Sequence, residues 1–165
     1  MSEVERILDQ MDRAFAGEAW HGPNLTRLLE GVTAQEAVQH PIAGAHSIWE
    51  LVNHIAAWNE IMRRELEGEA LEINTEMDWP GVGEASEAAW KAALGKLREN
   101  RARIRKKVAT LRDEQLDEKP AARTENTRYV MLHGLVQHDL YHAGQIAILK
   151  KAFEKENAAR SAGNS

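Results

Sequence analysis

The chain has 165 residues and a mass of 18.5 kDa, with 43% apolar and 28% charged residues, seven histidines and no cysteine. That length suits one domain around one core, and the composition excludes a disordered or membrane-spanning chain. The lack of cysteine excludes a disulfide scaffold, a thiolate zinc finger, an iron–sulfur centre and a cysteine nucleophile, and the formal net charge of -5 argues against a dedicated nucleic-acid binder.

The first residues, Met1 to Arg6, lack the basic and apolar regions of a signal peptide, so a cytoplasmic location is expected. Val4, Ile7, Leu8, Met11 and Phe15 recur at helical spacing and predict a first amphipathic helix. A loop through Trp20, His21, Gly22 and Pro23 follows. Short helical pieces are then expected after Asn24 and after Thr33, where Thr33 and Glu36 have the spacing of a capping box. A second long helix lies between Gly44 and Gly68, with Ile48, Leu51, Val52, Ile55, Met62 and Leu66 on one stripe. Residues 68–83 read as a loop. Ser86 opens a third helix with Trp90, Leu94, Leu97, Ile104, Val108 and Leu111 inward, and 113–120 is a polar connector. The fourth helix is expected from about Thr124 to Phe153, with Met131, Leu135, Ile146 and Leu149 inward. The fold class is therefore all-α, an antiparallel four-helix bundle with short extra helices between helices one and two. One domain spans 1–156, and 157–165 is a flexible tail. The order in which the helices run up and down stays open.

Histidine is the informative residue type. His138 and His142 stand four apart, which puts both rings on one helix face about 6 Å apart along the axis. That face is the apolar stripe itself, where a polar ring costs free energy unless its nitrogens find partners. A shared metal ion supplies one explanation; separately hydrogen-bonded core histidines are the other. His54, one turn beyond Leu51, is the candidate third ligand from another helix. Three neutral nitrogens with no fourth protein ligand make an open, reactive site rather than a closed structural one. Imidazole accepts Zn²⁺, Ni²⁺ or Fe²⁺. The other histidines read as ordinary: His40 solvated, His46 part of a cap with Ser47, His133 on a different face, and His21 in a loop.

Residues 44–58 (Gly-Ala-His-Ser-Ile-Trp-Glu-Leu-Val-Asn-His-Ile-Ala-Ala-Trp) and 138–146 (His-Asp-Leu-Tyr-His-Ala-Gly-Gln-Ile) resemble the DinB/YfiT-like superfamily of metal-dependent hydrolases and thiol transferases. The Trp-His-Gly-Pro-Asn-Leu turn and the Asp-Trp-Pro loop extend the likeness to residues 5–153. The resemblance implies a DinB-like four-helix bundle, commonly a homodimer, holding a divalent metal such as Zn or Ni, with Fe or Mn as further options. Its ligands would be His54, His138 and His142. The implied chemistry is hydrolysis or S-transfer on a small-molecule substrate.

A metal held by three neutral ligands activates a water or a low-molecular-weight thiol, and without cysteine any thiolate must arrive as a cosubstrate. Glu50, Asp139, Gln145 and Tyr141 are the candidates for supporting the ligands or moving protons, each with surface or packing roles as the alternative. The basic run of Arg98, Arg101, Arg103, Arg105, Lys106 and Lys107 reads as a solvated face near a helix C-terminus, so neither nucleic acid nor membrane is an expected partner. The rival to an enzyme is a bundle in which the metal is structural or absent. Trp49 and Trp90 are expected in the core, whereas Trp20 and Trp79 could mark a pocket wall or an interface.

Overall fold

The computed structural model describes the backbone of residues 1–120 and 125–163, and side chains to residue 155. In chain order it contains α1 (Glu3–Phe15), α2 (Leu25–Leu29), α3 (Ala34–Ala37), α4 (Ile48–Leu66), α5 (Thr75–Asp78), α6 (Glu87–Val108) and α7 (Arg128–Gly163), with a 3-10 turn at Asp113–Gln115. Among the described residues there is no strand. The expected start of the fourth helix at Thr124 and the last two residues of the expected tail lie outside the described residues. The backbone of α7 is helical well past Phe153, in keeping with the high helix propensity of its alanine-rich and charged continuation.

Each helix begins where a short polar side chain can take an orphan backbone N–H. Ser2, Asn24, Thr33, Ser47, Asn74, Ser86 and Thr127 all accept such a bond. Thr33 with Glu36, and Ser47 with Glu50, complete reciprocal capping boxes. Residues 68–83 are not wholly loop, since α5 forms there behind its Asn74 cap.

Cross-helix contacts settle the order. Trp49 meets Trp90, and Asn100 donates to the Ala56 carbonyl, so α4 and α6 run parallel. His54 and Trp58 meet His138 while Met62 and Met131 share a cavity wall, so α4 and α7 run antiparallel. Arg105 pairs with Asp12, and Asp113, just past α6, accepts from the backbone of Val4, so α1 opposes α6. The bundle is up-down-down-up. Parallel α4 and α6 require the chain to return the length of a 19-residue helix, about 28 Å, which residues 67–86 accomplish.

The predicted stripes form the core: Ile48, Leu51, Val52 and Ile55 of α4, Leu97 and Ile104 of α6, and Leu135 and Ile146 of α7 are buried. Trp49 and Trp90 are buried with them. The core divides into two apolar clusters, one around Trp49, Trp90 and Ile146, the other around Ile7, Ile104 and Leu132. Between them runs a polar belt of His54, Asn59, Asn100, Arg101, Asp139 and His142, all buried. Arg101 therefore departs from the solvated basic face expected of it. Its guanidinium bonds Asp139 at 2.9 Å, Asn59 at 3.4 Å and the Met11 carbonyl. Sequence spacing had placed Arg101 within a basic run, yet it follows Leu97 by one turn and so sits on the inner face. Arg98, Arg103, Arg105 and Lys106 are exposed as expected.

Candidate metal centre

At the mid-height belt, α7 turns His138 and His142 toward His54 of α4. The Nε2 atom of His138 lies 2.9 Å from Nε2 of His54 and 3.1 Å from Nε2 of His142. One ligand nitrogen from each ring falls within 4.8 Å of the others. His54 and His142 are each only 5% exposed, and His138 is half-buried.

The tautomers follow from the outer partners. His54 Nδ1 lies 2.6 Å from the Asp78 backbone carbonyl, and His142 Nδ1 lies 2.7 Å from Gln145 Oε1. Both acceptors are oxygens, so both Nδ1 atoms carry the proton and both Nε2 atoms present bare lone pairs. His138 Nε2 can donate to only one of them. A proton is a poor remedy for this crowd of lone pairs: burial, aided by its two histidine neighbours, pushes His138 down to about 3. Burial also lowers His54 and His142 from the ordinary histidine value. A divalent cation fits instead. Two imidazole nitrogens bonded at about 2.0–2.1 Å with angles between octahedral and tetrahedral stand roughly 2.9–3.4 Å apart, the spacing of both contacts that His138 makes. The three-histidine cluster could therefore bind a metal ion. His138 Nδ1 is buried without a hydrogen-bond partner, so this ring is held by packing.

Residues 74–79 supply a support that periodicity did not reveal. Trp58 Nε1 donates to Asp78 Oδ1 at 2.7 Å, and that oxygen lies 3.3 Å from His54 Nδ1. The Trp79 ring is sandwiched between His46 at 3.7 Å and His54 at 3.8 Å, nearly parallel to both. The signal in the sequence was the Asp-Trp-Pro triplet itself, which has no helical period to place it. Of the four predicted supporting residues, Gln145 contacts a histidine of the cluster through a hydrogen bond and Tyr141 touches His142 by its ring edge, at 5.0 Å, while 65% exposed. Glu50 instead accepts from the Ser47 backbone and lies 3.0 Å from His40. Asp139 is fully buried and faces Arg101. His46 is a stacking partner rather than a cap, because Ser47 alone takes the capping bond. His133 packs on Tyr129, and Trp20 is fully exposed.

Comparison with known proteins agrees with this architecture. The crystal structure of a conserved protein from Enterococcus faecalis matches with a TM-score of 0.65 at 18% identity, over 92% of this chain and 97% of that one. At that identity the likeness establishes the shared fold. No curated protein matches the sequence. The family model described as the DinB superfamily matches residues 19–146, a span holding all three histidines and the α5 support. The chain belongs to the DinB superfamily.

Proposed function

We propose that this protein is a divalent-metal-dependent enzyme in which His54, His138 and His142 hold the ion and a water or low-molecular-weight thiol is activated for hydrolysis or S-transfer. The observation that carries the reading is the convergence of three Nε2 atoms, two of them committed by their Nδ1–H bonds to presenting lone pairs. Zn²⁺ or Ni²⁺ suits an all-imidazole set best, with Fe²⁺ or Mn²⁺ behind. When bound, such an ion supplies Lewis acidity, since neutral ligands leave its charge intact.

The chain's own residues do the rest. Asp78 and Gln145 fix two rings in the ligating tautomer, as outer partners of metal-bound histidines generally do. Trp79 lies flat on His54, and Trp58 stands edge-on to it, so together they shield that ring from water. With no cysteine present, a thiol nucleophile would come from a small-molecule cosubstrate.

The test is a screen of metal-loaded protein against thiol–electrophile pairs and simple esters and amides. Turnover that chelation abolishes, and that His138→Ala lacks, supports the reading. The rival is a structural ion, favoured by the way the cluster joins α4 to α7 across the bundle. A bound metal that raises the melting temperature without any turnover would select that rival.

A further inference from the structure

Burial does little to hold residues 74–79 on His54. None of the four residues of α5 is buried, and Trp79 is half-buried at the edge of the first apolar cluster. Yet this segment carries the Asp78 carbonyl that selects the His54 tautomer. Side chains of α4 grip it on both sides of Trp79. Trp58 Nε1 donates to Asp78 Oδ1, while Asn53 Nδ2 donates to the Gly81 carbonyl at 3.2 Å and the Pro80 carbonyl at 3.4 Å. Trp79 itself lies flat on two rings, with interplanar angles of 9° to His54 and 11° to His46.

The place of His46 is set from outside the metal centre. Gly44, with φ +78°, turns the chain just ahead of it, a conformation that suits glycine. Glu50, which accepts from the Ser47 backbone at 2.7 Å, brings the same carboxylate oxygen to 3.5 Å from His46 Nδ1. With 50% of its side chain exposed, His46 adds little to the core, and its flat contact is with Trp79.

Resting on the metal-centre reading above, we propose that His46 is a positioning residue for the metal centre: its ring clamps Trp79 against His54 and so keeps the Asp78 carbonyl on His54 Nδ1. It acts through Trp79 and holds no ion itself. Glu50, which touches none of the three ligands, gains a link to the site by orienting this clamp. The clamp can add to metal affinity no more than the stack contributes, about three- to tenfold.

Zinc affinity, measured by competition against a chelator, tests this in four variants. His46→Ala should bind zinc about three- to tenfold more weakly than the parent. His46→Phe, which keeps a flat face but no ring nitrogen, should restore the parental affinity. Trp79→Leu should also weaken binding. Adding His46→Ala to it should cost nothing further, because the clamp then has no ring to press. Parental affinity in His46→Ala, a His46→Phe as weak as His46→Ala, or losses that multiply in the double variant overturns the proposal and leaves the metal centre standing. Failure of the parent to take up zinc overturns the metal-centre reading, and this proposal with it.

Discussion

Single side chains decide whether the three rings can act as ligands. The two hydrogen bonds that select their tautomers differ in kind: His142 is tied to a side chain, Gln145, whereas His54 is tied to the backbone carbonyl of Asp78. Gln145→Ala should therefore weaken zinc affinity by about 10–100-fold, the usual cost of losing an outer partner. Asp78→Asn should change it little, because the carbonyl and an oxygen for Trp58 both remain. Competition titrations against a chelator separate the two. Proton linkage follows from the same rings. All three titrate below the ordinary 6.5, His138 at about 3, so above pH 6.5 native and unfolded chains are both neutral there. As pH falls below 6.5 the unfolded chain gains protons that the native state refuses, and stability declines. Asp139, raised by burial to about 6 despite Arg101, works in the opposite sense below pH 6, but the three histidines outnumber it. The denaturation midpoint of the metal-free protein should fall between pH 7 and pH 5; a constant midpoint would contradict the assignment.

Helices place these side chains, and the Arg101–Asp139 pair fixes how α7 is turned. Asp139 follows His138 directly, so the carboxylate that faces α6 sets the rotation that faces the imidazole toward α4. Removing one partner strands a buried charge. Asp139→Ala should cost about 3–5 kcal/mol, lowering the melting temperature by roughly 10 °C in a chain of this size. Replacing both residues with Leu and Met should recover much of that loss. A single variant as stable as the parent would refute the role. Apolar spacing made the four long helices legible, because each stripe records which face the core covers. His138 and His142 were legible because polar rings sat on such a stripe. Arg101 was not, since a basic run resembles a solvated face and burial depends on a partner from α7. Trp79 was legible only as a pocket wall or an interface, and the support of His54 by Asp78 was missed, because α5 spans four residues and leaves no period to read.

Across the whole molecule, the up-down-down-up bundle surrounds a polar belt with two apolar clusters, and the histidines occupy the belt where α4 meets α7. Neither helix direction nor that layering is encoded in any one stripe; both arise from the long returns at residues 16–47 and 67–86. An ion joining α4 to α7 binds the native state alone, so zinc at one hundred times its dissociation constant should stabilise by about 2.7 kcal/mol. That corresponds to a melting-temperature rise of roughly 5–10 °C. No rise with saturating zinc would mean the rings do not share an ion. The most direct measurement is a zinc titration of the metal-free protein beside His54→Ala, His138→Ala and His142→Ala, followed by calorimetry. One ion per chain in the parent, with affinity lost in all three variants, is the predicted result. Undiminished binding in the variants, or none in the parent, would contradict a three-histidine metal centre.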